Sequence, residues 1–319
     1  ALSEFFPEQG VKIDQNIVLR FPTLHEIMAE KESPKESEDV DSVAKILTPE
    51  ELMELRKAEQ QAAKDSEFVA FCTKSATRIH MPNEDVTYLD PVFEALEKAQ
   101  ERPMRIMHYG DSQLEGDRIT GVFREKIQEV FGGNGTGLLP AFQTIGMATA
   151  RVETTPELPH YMFFGSSDFH ANHKRYGPLA QVVQVDSSAT FTITALGGST
   201  YPHCRSFRKI SLAMMGDGEI KVTTGDIEQE MTCPLDTTFQ GLRLFSTLLP
   251  RNVYKATISV KGSMEIYALM IDGANGVSVD NIAMRGVSGT FFTSLDRNSL
   301  APFFKQQNVK LIILQYGGN

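Results

Sequence analysis

The sequence predicts an α/β protein: a three-layer α/β/α core around a parallel sheet, carrying an inserted β-sandwich or jelly roll. Three observations support this. An apolar stretch, Met104 to Tyr109, runs straight into Gly110-Asp111-Ser112, as a buried strand does when it ends at a tight turn. A second run, VKLIILQ (309–315), is mainly apolar, the texture of a strand buried on both faces of a parallel sheet. Between them, from about Arg151 to Ser263, the short alternating runs AQVVQV, ATFTITAL, KISLAMM, EIKVTT and YKATISVKG are separated by glycine turns, the pattern of an antiparallel sandwich.

The N-terminal extension, 1–89, comes first. Ile17, Val18, Leu19 and Phe21 form an apolar patch suited to an edge strand or to packing on the main body. AEKESPKESEDVD (29–41) is charged and poor in apolar residues, which marks a linker. Thr48-Pro-Glu-Glu51 opens a helix with a Thr cap, Pro in the first turn and Glu at the capping-box position, and Leu52, Leu55 and Ala62 recur at helical spacing.

The first part of the core, 90–150, begins with a helix at Asp90-Pro91 and continues through the serine turn. A glycine before that turn permits backbone angles other residues avoid, and the carboxyl edge of an open α/β sheet is where ligands bind. Ser112 is therefore placed like a nucleophile. Ile119, Val122, Phe123, Ile127 and Val130 then predict an amphipathic helix. It stops at Phe131-Gly132-Gly133-Asn134-Gly135. Those glycines follow a helix rather than opening one and lack the Lys-Ser/Thr of a phosphate-binding loop.

Residues 151–268 make the inserted sandwich, and 269–319 continue the core. MEIYALMID (264–272) either closes the sandwich or re-enters the core sheet, with re-entry expected through Val277–Ile282. Residues 290–308 read as a helix interrupted by Pro302, crossing to the strand at 309–315.

Composition excludes several classes. A net charge of -10 is wrong for a nucleic-acid binder, which needs a basic stripe to neutralise phosphates, and disfavours anionic membrane surfaces. No apolar run approaches the length needed to span a bilayer, and Ala1-Leu-Ser-Glu shows no export signal. Cys72, Cys204 and Cys233 are too few and too scattered for a disulfide framework or a zinc site and read as buried thiols. His170 and His173 have only Asp168 beside them, so no metal site is expected.

Three blocks in order carry a resemblance to a known family. Gly110-Asp111-Ser112, then Asn281-Ile-Ala-Met-Arg-Gly286, then Tyr316-Gly317-Gly318-Asn319 after a hydrophobic strand, resemble the first three blocks of the SGNH/GDSL hydrolases, a family of esterases and lipases with a flavodoxin-like core. The likeness is closest to relatives that remove O-acetyl groups from carbohydrate, including peptidoglycan, with a carbohydrate-binding-like β domain inserted in the catalytic domain. It implies a carboxylic ester hydrolase with Ser112 as nucleophile. The N–H groups of Ser112 and Gly286 and the Asn319 amide would form the oxyanion hole, Gly289 being the alternative to Gly286. The family's fourth block, Asp-x-x-His, supplies the base and occurs nowhere in this sequence; the nearest imitation is Asp168-Phe-His170. The resemblance thus implies a core incomplete at its C-terminal end and, as written, a poor enzyme. It further implies no cofactor, an acylated carbohydrate or peptidoglycan substrate, and a periplasmic, secreted or cell-surface location. Nothing in the sequence indicates an oligomeric state.

The chemistry fits these residue types. Acyl transfer needs a nucleophile, a base to take its proton and donors for the oxyanion, and backbone amides and asparagine donate without a charge that titrates. Each residue also has a plainer role available: Ser112 as a helix cap, Gly286 as a turn glycine, Asn319 as a turn residue. Asp111 reads as a structural acid bonding the turn or the Asp117-Arg118 pair. His108 reads as packed and hydrogen-bonded rather than as the base. His160, His170 and His173 lie near Tyr161, Phe163, Phe164 and Tyr176, which suggests a sugar-binding wall. Two other functions use the same residues: transfer of acetyl between sugars, and glycan binding or scaffolding on a degenerate hydrolase fold.

Overall fold

The computed structural model describes residues 11–14, 17–19, 49–74, 79–166, 170–233 and 241–318. The chain divides into two compact units, 1–80 and 81–319.

In the first unit β1 (Val11–Asp14) pairs antiparallel with β2 (Ile17–Leu19), so the Ile17 patch forms a small hairpin. Phe21, the charged stretch and the Thr48 cap lie outside the described residues. Helix α1 (Pro49–Lys74) follows, with Met53 and Val69 both largely exposed.

The second unit opens with α2 (Asp90–Glu97), β3 (Met104–Gly110) and α3 (Thr120–Phe131). An antiparallel region follows: β4 (Gly137–Leu139), β5 (Ala150–Thr155), β6 (His160–Met162), β7 (Gln181–Val185), β8 (Ser188–Ala195), β9 (Phe207–Thr224), β10 (Ile227–Cys233), β11 (Arg243–Val253) and β12 (Lys255–Asp272). The chain closes with β13 (Val277–Ala283), α4 (Arg297–Gln306) and β14 (Val309–Gln315).

Strands β4 to β12 form one nine-stranded antiparallel network built on the long β9–β12 pair. Its core is made by alternate positions, among them Phe191, Ile193, Ile220, Val222, Ile258 and Val260. This is the period-two burial that the alternating sequence requires. The MEIYALMID segment is the second half of β12, and its last residues pair with β4 (Leu269 with Leu139, Ile271 with Gly137).

Strands β13, β3 and β14 form a separate parallel sheet with β3 in the centre. All seven residues of β3 are buried. Gly110 is in register with Ala283 on one side and Gln315 on the other, so the three carboxyl ends are level. On one face Met104, Ile106, Val277 and Val279 pack against Leu96 from α2 and Phe123 and Ile127 from α3. On the other, Met107, Tyr109 and Ile282 meet Leu300 and Phe303 of α4 and Leu138, Tyr267 and Met270 of the antiparallel region.

Among the described residues the α/β/α core is present in part: the parallel sheet has three strands, with α2 and α3 on one face and α4 and the β region sharing the other. Three expectations need correction. Strand β14, although mainly apolar, pairs among the described residues with β3 alone and alternates half-buried and exposed residues, with Ile312 and Leu314 41% and 56% exposed. Helix α3 buries only part of the predicted stripe: Phe123 and Ile127 pack on the sheet, half-buried. Ile119, just before it, and Val122 and Val130 within it are exposed, whereas Arg124 and Gln128 are fully buried. The reason is polar: Arg124 Nε donates to Val279 O (2.6 Å) and Gln128 Nε2 to Val277 O (3.0 Å), tying the helix to backbone carbonyls of β13. Lastly, 290–308 is not one helix. Gly289–Ser294 is a 3-10 turn, and α4 starts afresh where Asp296 caps the N–H groups of Asn298 and Ser299.

Candidate active site

The serine turn grows directly out of β3. Asp111, almost fully buried, caps a 3-10 segment spanning Ser112–Asp117, its carboxylate accepting from Gln113 N at 2.8 Å. Asp111 and not Ser112 is therefore the cap, and its partner is turn backbone rather than the Asp117-Arg118 pair. Asp117 instead pairs with buried Arg124 (2.5 Å) and accepts from Thr149 Oγ1 (2.5 Å). Ser112 is half-buried, its carbonyl accepts from Arg118 Nη2 (3.2 Å), and among the described residues its hydroxyl has no hydrogen-bond partner. Gly110 is required for space and not for a left-handed backbone: a Cβ there would sit 2.7 Å from both Gln315 O and Leu114 Cδ1.

The second block lies beside this turn. Met284 N donates to Gly110 O at 2.9 Å, stitching the end of β13 to the end of β3. Gly286 follows with φ +73°, open space where a side chain would be, and an N–H without a partner among the described residues. Gly289 instead starts the 3-10 turn and packs near the Tyr316 ring. Arg285 grips Glu115 of the serine turn through both carboxylate oxygens (2.8 and 2.5 Å).

The third block arrives on the other side. The position of a Gly318 Cβ would be 3.1 Å from Asp111 Oδ2 and from Gln113 Nε2, so Gly317-Gly318 runs alongside the serine turn. Asn319 lies outside the described residues. Burial, with the Asp111 charge adding to it, raises the Tyr316 phenol to about 12, and its hydroxyl is buried without a partner among the described residues.

Beneath the turn runs a polar network that the sequence reading missed except for His108 and Asn281. His108 Nε2 lies 3.0 Å from Gln315 Oε1 and Nδ1 lies 3.0 Å from Thr120 Oγ1. Thr120 also donates to Asn281 Oδ1 (3.3 Å), Asn281 Nδ2 donates to Leu114 O (2.9 Å), and Gln315 Nε2 donates to Gln113 Oε1 (3.3 Å). The network joins all three strand ends to the serine turn. Burial holds the His108 imidazole below its ordinary range. With both ring nitrogens engaged, His108 is a packed histidine and not a base for Ser112. The one signal for this network was the set of polar residues at the ends of apolar strands.

A cavity of about 480 Å³ opens next to the turn, bounded by Glu115–Gly116, by Asn281, Ile282, Ala283 and Arg285, and by loops and strand ends of the antiparallel region. The proposed aromatic wall is only partly there. Tyr176 is buried, edge-on to Phe163 (5.4 Å), with its hydroxyl accepting from Ala171 N (2.9 Å). Phe164 alone of the four aromatics lines the cavity. His160 stacks on Phe142 and His173 pairs with Glu265 (2.9 Å); among the described residues no three His, Cys, Asp or Glu side chains converge as metal ligands. Asp168 lies outside the described residues, as do the side chains of Cys72 and Cys233; Cys204 is a buried free thiol.

No family model and no curated protein matches the sequence. Among solved structures, the fold is similar to that of a peptidoglycan O-acetylesterase, with 19% identity and a TM-score of 0.52 over 70% of this chain and 59% of that one. The chain therefore spans less than two thirds of that relative. It is also similar to the family 32 carbohydrate-binding module of C. perfringens NanJ in complex with galactose (TM-score 0.24, 12% identity, 39% of this chain and 93% of the module) and to a family 6 carbohydrate-binding module (TM-score 0.24, 10% identity, 43% and 94%). Among the described residues no helix is long and apolar enough to cross a membrane.

Proposed function

We propose that this protein is a serine ester hydrolase that removes O-acyl groups, acetyl among them, from a carbohydrate or cell-wall glycan. The observation that carries the reading is the level ending of three parallel strands, with Ser112 after the central one, Gly286 after one neighbour and Gly317-Gly318 after the other. Ser112 Oγ bonds to the acyl carbon, and the sugar oxygen leaves with a proton delivered by the base that took it from the serine. Water then attacks the acyl-enzyme, releasing the carboxylic acid and restoring the hydroxyl. The N–H groups of Ser112 and Gly286 and the Asn319 amide stabilise the oxyanion in both steps, each donor being worth about 10²–10³ in rate. A sugar hydroxyl in place of water would make the same acyl-enzyme an acyltransferase. In the SGNH/GDSL pattern the base is the histidine of an Asp-x-x-His block, and the proposed glycan ester substrate is what supports a periplasmic or extracellular location. The test is hydrolysis of 4-nitrophenyl acetate by the full-length gene product. Ser112→Ala lowers the rate at least about 10³-fold; a variant as fast as the parent removes the reading.

A second reading, a glycan-binding scaffold on a degenerate hydrolase fold, is favoured by one observation. Among the described residues no imidazole or carboxylate is bonded to the Ser112 hydroxyl. Glycan binding that survives Ser112→Ala, in a parent without esterase activity, is its signature.

A further inference from the structure

The 480 Å³ cavity beside the serine turn is far larger than an acetyl group needs, and its polar groups are largely spent. An acetyl methyl occupies about the space of one water, roughly 30 Å³. Small-molecule pockets run to about 300–1,000 Å³ and are mostly apolar. Ile145, Met147, Met162, Phe164, Leu179, Ile282 and Ala283 line this one. Both oxygens of Glu115 are held by Arg285, and both ends of the Asn281 amide are bonded to Leu114 and Thr120. A sugar ring placed inside would find few donors or acceptors to replace its lost water. A flexible hydrocarbon chain loses nothing by entering. Thr144, Gln181 and the guanidinium of Arg285, whose side chain is 68% exposed, remain for a polar head at the mouth.

We infer that this cavity is an acyl-chain pocket, so that the ester cleaved at Ser112 carries a chain well beyond acetyl, attached to a sugar left at the rim. The inference rests on the ester-hydrolase reading for the reaction but not for the binding. The experiment is calorimetric titration of the full chain with n-octyl β-D-glucoside below its micellar concentration, against methyl β-D-glucoside. At about fourfold in affinity per buried methylene, the octyl compound binds at least thirtyfold tighter. Ile145→Asp, at a position already 40% exposed, lowers octyl glucoside affinity at least tenfold with unchanged thermal unfolding. Leu314→Asp, on the exposed side of β14, leaves it unchanged and controls for non-specific adsorption. Equal binding of the two glucosides, an Ile145→Asp variant that binds like the parent, or an equal loss in Leu314→Asp overturns the pocket. Octyl glucoside binding without any ester hydrolysis keeps the pocket and removes the serine chemistry. Acetate hydrolysis without octyl glucoside binding does the reverse.

Discussion

The ion pair Asp117–Arg124 anchors the far end of the serine turn, and breaking it tests whether that anchor is structural. Both side chains are fully buried at 2.5 Å, Arg124 also donates to Val279 O, and Asp117 holds a left-handed backbone (φ +64°). Asp117→Asn is the cleanest single change, because asparagine tolerates that φ and preserves shape while removing the charge. It leaves a buried guanidinium with no counter-ion, which costs about 3–5 kcal/mol. Arg124→Met strands the carboxylate and costs a similar amount. The double variant removes both charges, so its cost falls well below the sum of the singles, with a coupling of about 1–3 kcal/mol. The chain has no tryptophan, so urea unfolding is followed by far-UV circular dichroism. With a slope of roughly 2–3 kcal/mol/M, each single variant lowers the midpoint by about 1–2.5 M. Strictly additive singles, or midpoints within a few tenths of 1 M of the parent, would refute the claim that this pair carries the turn.

Two more predictions follow from the same neighbourhood. Because burial lowers the His108 imidazole, the folded protein binds fewer protons than the unfolded chain just below the ordinary histidine value; the stability due to neutral His108 is present above about pH 6.5 and lost as pH falls. Burial, only partly offset by Arg105, raises Asp280 to about 6, and that contribution runs the other way, present at low pH and lost as pH rises through about 6. The comparison of parent with His108→Gln isolates the first: the variant loses less stability than the parent between pH 6.5 and 5, and parallel pH profiles would count against it. Gly110→Ala forces a methyl to within 2.7 Å of Gln315 O and Leu114 Cδ1. A loss of about 1–3 kcal/mol lowers the unfolding temperature by at least about 2–4 °C, whereas an unchanged temperature means the strand ends are not packed as described.

The serine turn was legible because its pattern is local: an apolar strand, a glycine, a capping aspartate and a polar segment all lie within a few residues. The alternating runs between 151 and 263 were equally plain, since period-two burial writes itself into each strand separately. Helix α3 was not, because the burial of Arg124 and Gln128 depends on carbonyls of β13 some 150 residues away, and no local rule marks a charged residue as interior. The exposed positions of β14 were hidden for a related reason: a mainly apolar run records what a strand can tolerate, not what covers each of its faces. Tyr176 had the composition of a sugar platform, but its place beneath Phe163 is set by packing.

By itself, then, the sequence determined that a serine, two glycine turns and a sandwich-like β region would occur, and in which order. Only the tertiary structure decided that the three turns end level on one sheet edge, that His108 is locked beneath them, and that an apolar cavity opens beside the serine turn at Glu115 and Gly116. Those outcomes depend on register between strands far apart in the chain and on where buried polar groups find partners, and neither is a property of any one segment.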